Sequence, residues 1–423
     1  MKRRPEFAMP RVVRRNDDTE IRIDGIEPRD WWIGMVHNVV MLTIYGHNAA
    51  LTRPCVKSEG VSVRRSVTTD SANHLFVEIE ITPQAKPGEI VIELTHDGQS
   101  VASLPFELRT RRQGSANRQG FDSSDVVYLV MPDRFANATG GGDANGMKEQ
   151  PDRRKPYGRH GGNLRGLARH TDYLHALGVT ALWLTPVQTN DMESQSYHGY
   201  AATDYYSIDP RLGSLADYKT LSANLAQWGM KLVMDIVVNH CGTGHKWMTD
   251  APSSRWFNSW DWKPELTNYR ASVATDTHAS AYDRRRTIEG WFDTTMADLN
   301  MADPLVERYM TQVAIWWVET ADLCGLRVDT LPYSDTKALG RWVDEIRSEY
   351  PSLGIVGETW VSHTAMLASW QKAWPGPQLP MAMDFPLQES VCRAFCEDFA
   401  WGTGANRLYD TIACDAALPA PQN

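Results

Sequence analysis

Hydrophobic and polar positions change rhythm along this chain. Between about Ile21 and Leu108, short apolar runs such as VVMLTIYG (39–46), HLFVEIEI (74–81) and GEIVIELTHDG (88–98) are separated by Pro, Gly and Asp, and no helical period intervenes. That spacing predicts an immunoglobulin-like β-sandwich over residues 18–112. Residues 1–17 are basic and polar and read as disordered. Residues 113–121 have few large apolar groups and read as a linker.

From Asp125 a second rhythm begins. VVYLVMP (126–132) reads as a buried strand, LRGLARHTDYLHALG (164–178) as a helix ending at glycine, and VTALWLTP (179–186) as the next strand. LADYKTLSANLAQWG (215–229) and MKLVMDIVVNH (230–240) repeat the pair. After an irregular stretch come CGLRVDT (324–330), GIVGETW (354–360) and MAMDFPL (381–387), each preceded or followed by helical pattern. Alternation of this kind means parallel βα units. The fold class is therefore α/β: an incomplete (β/α)8, or TIM, barrel over 122–423, with six strands where closure takes eight. The stretch 241–300, after the third strand, is too long for a simple loop and is expected to be a small inserted domain.

Composition narrows the function. The net charge of −9, from 43 Lys and Arg against 52 Asp and Glu, argues against nucleic acid or an anionic membrane as partner. No apolar run approaches the roughly 18 residues of a membrane helix. The 16 tryptophans and 15 tyrosines lean towards a carbohydrate ligand, since flat aromatic faces suit pyranose rings. Six cysteines occur without a CxxC pair, and most of them read as buried free thiols. MKRRPEFAMPRVVRR (1–15) has no apolar stretch behind its basic run, so it is not a signal peptide. The expectation is a cytoplasmic protein, or a periplasmic one if the true start lies elsewhere.

Barrel enzymes place chemistry at the C-terminal ends of strands. Here those ends carry Asp235, Asn239 and His240 on the third strand, Arg327 and Asp329 on the fourth, and Glu358 on the fifth. Residues two apart share a strand face, so Arg327 and Asp329 point the same way, and the arginine is expected to keep the carboxylate ionised. Carboxylates on neighbouring strands suit the separation of roughly 5 Å that retaining glycoside cleavage needs.

DIVVNH (235–240), GLRVDT (325–330) and GETW (357–360), in this order, resemble the barrel motifs of the α-amylase superfamily. MADLN (296–300) is similar to its inserted-domain motif, and YHGYAATDYYSIDP (197–210) to the segment after its second strand. GIEPRDWWIGM (25–35) and GFDSSDVVYLVMPDRFAN (120–137) resemble the sandwich start and barrel entry of cyclomaltodextrinase and neopullulanase relatives. The resemblance spans about residues 20–423. It implies a retaining hydrolase of α-glucans, acting on α-1,4 and conceivably α-1,6 linkages of maltodextrins, cyclodextrins or pullulan. Asp329 would be the nucleophile and Glu358 the acid and base. Arg327 would aim Asp329, and His240 and Asn239 would bond sugar hydroxyls or orient neighbours. Tyr200 would stack on the sugar, with His198 beside it. Asp235 would support the site from within, and Trp360 would offer a platform on the leaving-group side. The resemblance also implies a homodimer formed through the sandwich.

Two departures qualify this. The family's Asn-His-Asp motif of the seventh strand is absent before the chain stops at LPAPQN (418–423), so the third carboxylate is missing. The expectation is a polypeptide nearly inactive alone, and the alternative reading is a glucan-binding fragment or pseudo-enzyme. The loop NATGGGDANG (137–146) occupies the place where relatives bind calcium. Asn137, Asp143, Gly161 and Asn163 would be the ligands, with fewer carboxylates than a tight site needs. No cofactor is required by the chemistry, and Ca²⁺ stands as an open alternative to a plain Gly-rich loop.

Overall fold

The computed structural model describes residues 6–259, 264–373, 376–398 and 400–419. Two four-stranded sheets form the N-terminal sandwich. Strands β1 (Arg22–Glu27), β3 (Val39–His47), β6 (His74–Ile81) and β5 (Val61–Thr68) make one sheet, in that order. Strands β2 (Asp30–Ile33), β8 (Gln99–Thr110), β7 (Gly88–His96) and β4 (Arg53–Val56) make the other. Ile44, Val77, Ile79, Ile92, Leu94 and Phe106 are fully buried, as inward positions of alternating strands should be.

Six parallel strands follow: β9 (Val127–Val130), β10 (Ala181–Leu184), β13 (Lys231–Val237), β16 (Gly325–Asp329), β17 (Gly354–Gly357) and β18 (Met381–Ala382). They lie side by side in chain order, each joined to its neighbour through helix-bearing connections. A short antiparallel pair, β11 (Gln188–Thr189) with β12 (Asp204–Ile208), interrupts the second connection. In the third connection, β14 (His240–Gly242) pairs with β15 (Met296–Asp298) and brackets the inserted segment, with helices Ala271–Thr275 and Ala281–Ile288 between them.

Local chemistry sets the helix ends. Ser214 and Asp217 form a reciprocal capping box on helix Leu215–Gln227. Gly178 and Gly229 follow their helices at φ +87° and +68°, where a side chain would be strained. The helix expected over 164–178 is instead two short ones, Leu164–Ala168 and Thr171–Ala176, broken at Arg169–His170.

Helix Pro304–Ala321 is buried on nearly every face because it lies between the barrel and the sandwich. Its Gln312 exchanges two bonds with the Met41 backbone (2.7 and 2.8 Å), its Trp316 Nε1 donates to Asp30 (2.8 Å), and its Tyr309 hydroxyl donates to Glu27 (2.7 Å). Much of the tryptophan excess is used this way: Trp31, Trp247, Trp256, Trp317 and Trp342 are fully buried packing groups.

Four expectations are corrected. Residues 1–5 lie outside the described residues, but the rest of 1–17 includes docked chain: the Phe7 ring meets Trp291, and the Arg11 backbone bonds Met248 and Ala251. The linker 113–121 is packed as well. Arg118 is buried and donates to the Val318 and Leu323 carbonyls (2.8 and 3.1 Å). Phe121 sits so close to β16 and β17 that a Cβ on Gly325 or Gly354 would fall 2.3 or 2.5 Å from its ring, which is why both positions are glycine. The strand 126–130 is buried only at Val130: Val126, Val127, Tyr128 and Leu129 are exposed, because β9 is an edge of the sheet with one neighbour only. Of the cysteines only Cys241 is fully buried, and Cys392, Cys396 and Cys414 are exposed.

Candidate active site

The register of the parallel strands brings the chemistry together. Asp235 on β13 pairs with Arg327 on β16, Val237 with Asp329, and Val328 with Gly357 on β17, next to Glu358. Three carboxylates thus surround one guanidinium. Arg327 Nη1 lies 2.9 and 3.1 Å from the Asp235 oxygens and 2.7 Å from Asp329 Oδ1, and Nη2 lies 2.8 Å from Glu358 Oε1. Asp235 also accepts from Trp183 Nε1 (3.0 Å) and the Tyr200 hydroxyl (3.1 Å). Thr330 sits at φ +44°, a strained conformation for a β-branched residue, and there its N–H reaches Glu358 Oε2 (2.9 Å) while its hydroxyl reaches Asp329 Oδ2 (3.1 Å).

One positive charge does not neutralise three buried negative ones. Burial raises the Glu358 carboxyl above the ordinary glutamate range, the Asp329 charge raises it further, and Arg327 opposes both. Burial raises Asp329 too, against the pull of Arg327. Arg327 and the Thr330 hydroxyl favour the ionised form of Asp329, in the sense expected of the arginine, and burial opposes them. Burial pushes Asp235 up to about 7, again against Arg327. Burial pushes His240 and His198 down to about 4, so both are neutral near pH 7.

A cavity of about 360 Å³ opens above this cluster. His198, Tyr200, His240, Arg327, Asp329, Glu358 and Trp360 line it, together with Phe292, Met296, Thr330 and Tyr333, which the sequence reading did not single out. Tyr333 and Thr330 follow the GLRVD strand directly and could have been found from it; Phe292 lies in the irregular insertion, where no period marks it. His198 and Tyr200 stack at 5.6 Å and 25°. Trp360 is 72% exposed and lies parallel to Phe385 at 5.1 Å, a flat aromatic face at the mouth.

Of the two residues expected to bond sugar hydroxyls or orient neighbours, one lies beneath the cleft and one lines it. Asn239 is wholly buried beneath the cleft, and its amide donates to Asp298 (3.0 Å), the Tyr333 carbonyl (2.8 Å) and Ser334 (3.2 Å), leaving no donor for a sugar. Neutral His240 places Nε2 3.0 Å from the Tyr200 carbonyl, so it orients Tyr200 as well as lining the cavity.

The residues proposed for calcium do not make a fitting donor set. Asn163 Oδ1 already accepts from Gly166 N (2.8 Å) and Ala138 N (3.2 Å) as a helix cap. The Asn137 amide donates to the Gly161 carbonyl, and Asp143 accepts from Asn145 N (2.9 Å). Asn137, Gly161 and Asn163 do line one cavity, of about 450 Å³, but they share it with Arg153, His160 and Arg211 and with no carboxylate. Cationic and amide donors of this kind oppose a divalent cation.

Comparison with known proteins agrees with this geometry. Residues 129–402 match the family described as alpha amylase, catalytic domain, and residues 25–112 match that described as cyclomaltodextrinase, N-terminal. A cyclomaltodextrinase of Geobacillus thermopakistaniensis is 32% identical over 68% of this chain and 46% of its own length. An intracellular maltogenic amylase of Bacillus subtilis is 31% identical over 65% of this chain and 43% of its own. The crystal structure of an Anoxybacillus alpha-amylase superposes with a TM-score of 0.58 at 28% identity, covering 73% of this chain and 60% of that one. The chain spans just under half the length of the curated relatives it matches. With a family match across more than half of its residues, laid over the six strands that carry the cleft, the chain belongs to the α-amylase family.

Proposed function

We propose that the protein is a retaining α-glucan hydrolase that cleaves α-1,4 linkages of maltodextrins and cyclodextrins, with Asp329 as nucleophile and Glu358 as acid and base. The observation that carries this reading is the bridging of Asp329 and Glu358 by one guanidinium at the floor of an aromatic-walled cleft. Carboxyls on adjacent strands that both reach one guanidinium, at 2.7 and 2.8 Å, suit the gap of roughly 5 Å of a retaining enzyme better than the roughly 6.5–9.5 Å into which an inverting enzyme fits a water. Glu358, raised by burial, gives its proton to the glycosidic oxygen as Asp329 attacks the anomeric carbon. The C–O bond breaks, the leaving sugar carries away the proton, and a β-linked glycosyl ester forms on Asp329. Glu358, now ionised, takes a proton from water, whose oxygen attacks the same carbon and frees Asp329. Tyr200 and Trp360 offer ring faces to sugars on either side of the bond. The names of the relatives, cyclomaltodextrinase and maltogenic amylase, support the substrate class, and pullulan tests α-1,6 cleavage.

Proton NMR of the first product from maltotriose or β-cyclodextrin is expected to show the α-anomer. Asp329→Asn and Glu358→Gln should each lower turnover by about 10²–10⁴-fold. First formation of the β-anomer, or full activity in either variant, would overturn the reading.

A further inference from the structure

We infer that the N-terminal arm, residues 6–15, is a strap that positions one wall of the cleft, and that Phe7 is its positioning residue. This rests on the glucan-hydrolase reading, because the wall in question is the one a sugar would touch.

The arm has no regular secondary structure, yet it is tied to two parts of the molecule at once. Arg11 N donates to the Met248 carbonyl (3.1 Å), and Ala251 N donates back to the Arg11 carbonyl (2.6 Å), which joins the arm to the inserted segment. Ala72 N donates to the Val13 carbonyl (2.7 Å) and Arg14 pairs with Asp70 (3.3 Å), which joins it to the sandwich. A backbone exchanging bonds on both sides is held in one path.

At the far end of that path the Phe7 ring meets Trp291 edge to face, at 5.5 Å and 85°. Trp291 is wholly buried. Its indole donates to the Asn258 carbonyl (3.1 Å), its N–H donates to the Glu265 carbonyl (2.7 Å), and its carbonyl accepts from Thr267 N (2.9 Å). The next residue, Phe292, belongs to the cleft. It lines the cavity, stacks on His240 at 6.0 Å and 13°, and meets Tyr333 at 5.4 Å. Trp291 takes the Phe7 ring while the adjacent Phe292 lines the cavity, so one short segment meets the arm with one side chain and the cleft with the next. Removing the Phe7 ring leaves Trp291 free to shift into the space, and the shift carries Phe292 with it.

The test is isothermal titration of the full chain with maltotetraose, beside thermal melting. Phe7→Ala is expected to weaken binding by about fivefold. Phe7→Tyr, which keeps the ring, should bind as the parent does. Phe292→Ala should weaken binding too, and adding Phe7→Ala to it should cost nothing further. A purely structural role for Phe7 would lower the melting temperature while leaving maltotetraose affinity unchanged, and that result overturns the inference, as do losses that add in full in the double variant. If the parent itself binds no maltotetraose, the glucan reading fails and the strap's role falls with it; if the parent binds and Phe7→Ala binds equally, only the strap is lost.

Discussion

Burying Arg327 among Asp235, Asp329 and Glu358 places the site's protons under the control of burial as much as of pairing. The same physics acts on the buried histidines. His240 and His198 are pushed down to about 4, and His74 to about 3, in each case by burial first. Such a histidine takes up a proton more readily in the unfolded chain, so the stability it contributes is complete above the unfolded value of 6.5 and is lost as pH falls towards the folded value. For fully buried His240 this amounts to on the order of 3 kcal/mol. Asp235 acts in the opposite sense, its contribution being lost as pH rises through about 7, and burial raises Asp329 and Glu358 in that same sense. His74 lies in β6, remote from the cleft, so His74→Gln isolates one histidine: relative to the parent, the urea midpoint of the variant is expected to rise on going from pH 6.5 to pH 4.5. A difference between the two that stays constant over that range would contradict the effect of burial on His74. Arg327 and Asp329 were legible as a same-face pair from strand periodicity and Glu358 as the end of the next strand, while their roles came from the resemblance carried by GLRVDT (325–330) and GETW (357–360). Of the two roles left open for Asn239, bonding sugar or orienting a neighbour, its burial and its contact with His240 Nδ1 (3.0 Å) fit the second, and sequence does not say which of two adjacent residues turns inward.

Strands and helices were legible wherever period and punctuation agreed. The six barrel strands and the glycine-stopped helices follow from apolar runs and C-terminal glycines. The burial of β9 was not legible, because VVYLV reads alike at the centre of a sheet and at its edge. The Phe7–Val13 arm was also missed: its charge suggested disorder, and its order comes from partners far along the chain, Ala72, Met248 and Trp291. The loop over residues 137–163 carries a prediction at this scale. Its amides and Asp143 are already bonded within the loop, and Arg153, His160 and Arg211 line the cavity beside it. Melting with and without EDTA is therefore expected to give the same midpoint. A fall on chelation would show that a cation displaces those internal bonds.

At the scale of the molecule, the sandwich is part of the catalytic unit's support and not a loosely tethered module. Glu27, Asp30 and the Met41 backbone bond helix Pro304–Ala321, Lys246 pairs with Glu27 from the inserted segment, and the His37 N–H donates to Glu349 (2.8 Å). The linker's Phe121 seals the base of β16 and β17 on the side away from Asp329 and Glu358. No helix among the described residues is long and apolar enough to cross a membrane. These contacts brace helix Pro304–Ala321, which leads into β16, and the starting ends of β16 and β17, the strands that lead to Asp329 and Glu358. The central claim is that Asp329 attacks the sugar and Glu358 handles the protons. α-Maltosyl fluoride separates the two roles, since fluoride departs without a proton donor while hydrolysis of the resulting ester still needs a base. Mass spectrometry of the Glu358→Gln variant incubated with α-maltosyl fluoride should show one maltosyl unit accumulating on the peptide that contains Asp329. No adduct, or an adduct on any other residue, would contradict the account.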